Sequence, residues 1–133
     1  QTISARGGNF FWAAALPSVL FGALHFDYVN FGNNAFAYVI STSVFGMILC
    51  AVTLRLGNLG AAFGLHFFNN FIALFIYGLN DELGTMALLH VDIDPKSPLI
   101  GCGMILQSVF SIIVFFLWRA HHKRTNPDAT FAN

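Results

Sequence analysis

Two histidines and two adjacent carboxamides, Asn69 and Asn70, stand in stretches of this sequence that otherwise carry nothing but apolar and small residues. His25 closes the run Leu20-Phe21-Gly22-Ala23-Leu24-His25, and His66 and Asn70 lie in Gly64-Leu65-His66-Phe67-Phe68-Asn69-Asn70. In hydrocarbon an ionisable side chain costs on the order of a few kcal/mol, so each of these groups needs a partner, a cavity or a function. His66 and Asn70 are spaced i, i+4, which puts an imidazole and a carboxamide on one helix face a turn apart. An imidazole N–H and an amide NH2 are preorganised donors, and their hold on a developing oxyanion grows where water is excluded. His25 could then handle the proton of an attacking water. Phe21, one turn before His25, would wall its surroundings, while Asp27 projects about 200° away around the same helix and is a poor partner.

The bland alternative is that His25 and His66 hydrogen-bond across helices, a contact contributing roughly 0.6 to 2 kcal/mol in membranes. The remaining histidines point elsewhere. His90 falls in an acidic loop, and His121 and His122 sit beside Lys123 and Arg124, so solvated roles are expected for them. Phe63, Phe67, Phe68 and Phe71 surround the polar patch and are expected to face lipid or to pack. Cys50 and Cys102 lie in different apolar runs without metal-type spacing, and are expected to be small core residues with no bridge between them.

The elements that must position these groups are membrane helices. Of 133 residues 56% are hydrophobic and only 9% charged, against roughly 25% charged in a soluble domain. Charged residues are missing from 7–26, 28–54, 56–80 and 97–118, each run long enough for the ~20 residues that span a bilayer core. The expected fold is all-α: a polytopic transmembrane bundle of four helices, at about 10–26, 35–54, 59–79 and 99–118, forming a single transmembrane domain, with 119–133 a polar cytoplasmic tail. Four such runs leave too little polar surface for a water-soluble fold.

An Asn- and Gly-rich segment at 27–34, a tight turn at Arg55-Leu56-Gly57-Asn58 and a longer loop holding Asp81, Glu82, Asp92, Asp94 and Pro95 join the helices. With both ends cytoplasmic, Arg6, Arg55, Arg119, Lys123 and Arg124 lie inside and only Lys96 outside, as the positive-inside rule requires. The chain begins at Gln1 without a signal-peptide pattern and reads as a C-terminal fragment of a larger membrane protein. Pro17 is expected to kink the first helix, and Gly60 and Gly64 to let a neighbouring backbone approach the third. On straight helices His25 lies about 22 Å and His66 about 10 Å from the inner face. A shared site requires their rings to come within on the order of 15 Å.

Phe21 with His25, and His66 with Asn70, resemble the FxxxH and HxxxN motifs of the CAAX prenyl protease and bacteriocin-processing (CPBP) family of intramembrane peptidases. The resemblance covers roughly residues 10 to 80, with one helix between the motifs as in the family. It implies peptide-bond hydrolysis within the membrane: His25 activates a water together with a glutamate, and His66 and Asn70 stabilise the oxyanion. The family's EExxxR motif has no counterpart, since no paired glutamates occur in the chain. It would precede the first helix, so the isolated segment is expected to be inactive.

The implied substrate is a peptide or protein, prenylated or membrane-embedded, met in a lipid bilayer. Nucleic acid is not an expected partner, given zero net charge and no basic patch. A divalent metal such as zinc is a possible cofactor, with His25 and His66 as ligands; catalytic zinc ordinarily has three protein ligands, so the absent glutamate would be the third. Two other functions fit the same residues. One is a b-type haem protein with His25 and His66 as axial ligands; the other is a catalytically inactive relative serving as an immunity or scaffold protein.

Overall fold

The computed structural model describes residues 11–79, 87–91 and 93–125. A wide π-helical turn, Phe11–Ala15, leads into α1, Leu16–Ala23. A single turn, α2 (Tyr28–Phe31), precedes the long α3 (Asn34–Leu56). After a tight turn comes α4 (Gly60–Phe71), which continues as a second π turn, Ile72–Ile76. Two three-residue strands follow, β1 (Tyr77–Leu79) and β2 (Leu89–Val91), and the chain enters α5, Pro98–Thr125.

The all-helical expectation holds for the architecture, apart from the short strand pair. The four-span expectation holds in part. Among the described residues, α3 and α5 are the helices long and apolar enough to cross a membrane, whereas the apolar helices Ala13–Ala23 and Gly60–Ile76 are shorter. The first helix stops at Ala23, because the backbone N–H of His25 turns back to Gly22 O at 2.9 Å instead of continuing the α ladder. The last residues expected in the third helix instead form β1, which pairs in parallel with β2 in the register Tyr77↔Leu89, Gly78↔His90, Leu79↔Val91. His90 is therefore a strand residue rather than a loop residue. Helix α5 runs on through Arg119 to Thr125, so the start of the expected tail is helical, with His122, Lys123 and Arg124 in its last turn, where cations complement the helix dipole. Arg6, Asp81, Glu82, Asp92 and residues 126–133 lie outside the described residues.

Pro17 sits in the first turn of α1, just after the π turn, where its missing N–H disturbs the hydrogen-bond ladder least. At the far end of α3, Gly57 takes φ 67° and donates its N–H to Thr53 O, a left-handed cap that a side chain would oppose. Asn58 completes the turn by accepting from the Gly60 N–H at 3.0 Å.

Helix α3 is the hub, packing against α1, α4 and α5. Its most deeply buried contacts are mainly small residues, with Val52 beside them. Ala14, Ser18, Gly22, Ala35, Gly46, Ala62, Gly101 and Ser108 are buried, while Leu24 is 86%, Val29 80% and Phe63 73% exposed. Small residues inside and large apolar residues outside is the pattern of helices packed in lipid. The hydroxyls of Ser18, Thr42 and Ser108 each donate to the carbonyl one turn back, Ala14 O, Tyr38 O and Met104 O, so these three protons are paired within an apolar medium.

Close backbone approach occurs at Gly22, where an added methyl would collide with the Ser43 hydroxyl and the Val39 carbonyl. It does not occur at the expected pair. A methyl on Gly64 would meet nothing, and one on Gly60 only the side chain of the neighbouring Asn58. Both cysteines are free, but Cys102 is exposed on α5 rather than in the core. The four phenylalanines of α4 project outward, Phe63, Phe67, Phe68 and Phe71 all being exposed.

Candidate active site

His25 lies in the turn that ends α1. Its Nδ1 is 2.8 Å from Phe21 O; a carbonyl can only accept, so Nδ1 carries the proton and Nε2 keeps a lone pair when the ring is neutral. The Tyr38 ring of α3 meets the imidazole edge-on at 5.6 Å. Asp27 plays no part here. Its carboxylate caps α2 by accepting from Asn30 N at 3.0 Å and from Asn30 Nδ2 at 2.6 Å. The backbone N–H, then the side-chain amide, hold its carboxyl below the ordinary carboxylate range.

His66 projects from α4 into a slot between two aromatic rings. Phe21 of α1 approaches edge-on with centroids 6.0 Å apart, and Phe45 of α3 stacks at 6.3 Å. Asn70 Nδ2 lies 3.2 Å from His66 Nε2. An amide NH2 can only donate, so Nε2 accepts and the proton of neutral His66 resides on Nδ1. That Nδ1 is buried and has no hydrogen-bond partner. A buried donor without a partner costs free energy, and it is the property an oxyanion-stabilising group needs before substrate arrives.

Phe21 joins the two halves. Its ring is 4.6 Å from the His25 ring and 6.0 Å from the His66 ring, which bounds the separation of the imidazole centroids at about 11 Å. The unequal depths calculated for straight helices do not keep the histidines apart, because the first helix opens in a π turn and ends before His25. The arrangement thus places a lone pair on His25 and an unpartnered N–H on His66, two imidazoles that touch one aromatic ring.

Sequence reasoning missed three contributors. Tyr38 and Phe45 were hidden among many aromatics. Gln107 of α5, whose Nε2 reaches Asn69 Oδ1 at 3.4 Å, is a lone carboxamide in the charge-free run 97–118, and the rule that singled out His66 applies to it equally. Beside Phe45 an apolar crevice of about 540 Å³ runs between α3, α4 and α5 past Leu65 and Phe110 to Trp118. Among the described residues there is no group of three or more His, Cys, Asp and Glu able to hold a metal ion.

The exposed apolar helices mark a membrane protein, and comparison with known proteins agrees. The model of the family described as Type II CAAX prenyl endopeptidase Rce1-like matches residues 1–72, a span containing Phe21, His25, His66 and Asn70. No curated protein and no solved structure matches. With more than half its length matched, the chain belongs to the Rce1-like type II CAAX prenyl endopeptidase family.

Proposed function

We propose that the chain carries part of the active site of an intramembrane endopeptidase, with His25 and His66 as its catalytic residues and Asn70 as the residue that positions His66. His25 Nε2 takes a proton from water as the water oxygen attacks the scissile carbonyl. His66 Nδ1–H stabilises the oxyanion that forms, Asn70 holds the ring in that tautomer from Nε2, and His25 returns the proton to the leaving amine. A carboxylate sharing the water with His25 is the part that the family's EExxxR motif would supply. The substrate is a membrane peptide or a prenylated protein, whose apolar part suits the crevice beside Phe45 and His66.

The observation that carries this reading is the contact of one phenylalanine ring with both histidines. For membrane placement, it takes the four apolar segments as a multi-pass bundle with both ends on the cytoplasmic side, supported by the distribution of Arg and Lys. A divalent ion such as zinc would find two imidazoles here, His25 and His66, one short of the usual three protein ligands. Its third ligand would have to come from outside the described residues.

Two other assignments are weaker. A porphyrin coordinated by both histidines would have to occupy the space where the Phe21 ring lies. An inactive scaffold has no use for the unpartnered Nδ1 of His66. The test is cleavage of a membrane-embedded reporter peptide by the full-length protein. His25→Ala and His66→Ala variants that fold and no longer cleave support the peptidase, whereas a folded full-length protein that cleaves nothing supports the inactive relative.

A further inference from the structure

The geometry points to Gln107 as a positioning residue that sets the tautomer of His66 through a one-way chain of carboxamides. Gln107 Nε2 donates to Asn69 Oδ1 at 3.4 Å, Asn69 Nδ2 donates to Asn70 Oδ1 at 3.4 Å, and Asn70 Nδ2 lies 3.2 Å from His66 Nε2. Each amide in the middle accepts with its oxygen and donates with its nitrogen, so the orientation of the first fixes that of the last. The chain ends on an imidazole nitrogen that must accept. His66 therefore holds its proton on Nδ1, the atom left buried without a partner.

The consequence is chemical rather than mechanical. Neutral imidazole has two tautomers, and which nitrogen is a donor is set by the bond the other makes. Were Asn70 turned over, its carbonyl would take a proton from Nε2–H, Nδ1 would be a bare lone pair, and the oxyanion donor would be lost. Gln107 anchors the chain from a different helix, α5, so the tautomer depends on how α5 docks against the hub. Asn69, which matches no motif position, becomes the connecting link.

The inference rests on the proposed role of His66 only where activity is concerned, since the tautomer can be read without a substrate. The experiment is long-range 1H–15N correlation spectroscopy on histidine-labelled full-length protein in nanodiscs at alkaline pH, with His66 assigned by its loss in His66→Ala. Gln107→Glu is nearly isosteric at an exposed position but, ionised, can only accept. It should turn over Asn69, then Asn70, and move the proton to Nε2. The expected result is Nδ1–H in the wild type, Nε2–H in Gln107→Glu, and a mixture in Gln107→Leu, with kcat in Gln107→Glu falling about 100-fold at little change in KM. The same His66 tautomer in all three proteins would overturn the proposal, whatever their activity. A wild type that shows Nδ1–H, inverts in Gln107→Glu and yet cleaves nothing would leave the chain standing and remove the peptidase assignment instead.

Discussion

The ring of Phe21 meets the imidazole of His66 edge-on at 6.0 Å although the two residues belong to helices α1 and α4, separated in sequence by the whole of α3. The same ring lies 4.6 Å from His25. Phe21 is thus the spacer that sets the separation of the two imidazoles. Phe21→Ala should cost about 1–3 kcal/mol, less than a fully buried phenylalanine because the side chain is half-buried, and should lower kcat more than the stability loss explains. Phe21→Leu should keep most of the stability. Thermal unfolding in detergent together with turnover of a membrane-embedded peptide separates the two effects; equal activity in both variants and wild type would remove the spacer role.

Gly22 and Gly64 make opposite predictions. A methyl at Gly22 meets the Ser43 hydroxyl and the Val39 carbonyl, so Gly22→Ala should overpack the α1–α3 interface and cost about 1–3 kcal/mol. At Gly64 there is open space, and Gly64→Ala should be neutral or stabilising by about 0.5–1 kcal/mol through helix propensity. The reverse order of unfolding temperatures would mean that the GxxxG pair, and not Gly22, carries the close contact.

Asn34 ties the start of α5 to the start of α3. Its Nδ2 donates to Pro95 O and Ser97 O, each at 2.8 Å, and its carboxamide oxygen fills the space above Gly101. Asn34→Ala should cost roughly 1–3 kcal/mol, because a half-buried carbonyl loses its donor. Faster amide exchange at Leu99 and Ile100 would report it, and unchanged exchange there would contradict it.

Asp27 gives a pH dependence of known sign. Its carboxyl titrates below the unfolded value of 3.8 because Asn30 donates to the carboxylate. The stabilisation of α2 is therefore complete above the unfolded pKa and is lost as pH falls through the lower folded value. Amide protection of Asn30 should fall in acid in the wild type and be low and pH-independent in Asp27→Ala, which has no side-chain acceptor for that N–H. Protection that rises on acidification would contradict the cap.

Much of this was legible in the sequence because membrane physics makes polar residues conspicuous. His25, His66 and Asn70 stood out against charge-free runs, and the spacing of His66 and Asn70 gave their shared face before any coordinates. The turn at Gly57 and a long helix at about 35–54 followed from the same pattern; that this helix is the hub did not. What did not follow was set by contacts between elements. Nothing local in the run through Ala23 says that His25 will lie in a turn, or that Tyr77–Leu79 will leave the helix to pair with Leu89–Val91. The direction of the amide chain from Gln107 depends on the docking of α5, and Gly22 differs from Gly64 only in what faces it. Periodicity reports which residues want to be inside; it does not report which neighbour they meet there.

The central claim is that His25 and His66 serve one peptidase site, and its most direct test is the cleavage rate of a prenylated CAAX peptide in liposomes by the full-length protein and its single histidine variants. Loss of a general base or of an oxyanion donor typically costs about 100-fold or more, so His25→Ala and His66→Ala should each lose at least that factor while retaining wild-type helix content. Either variant cleaving at the wild-type rate would contradict the account.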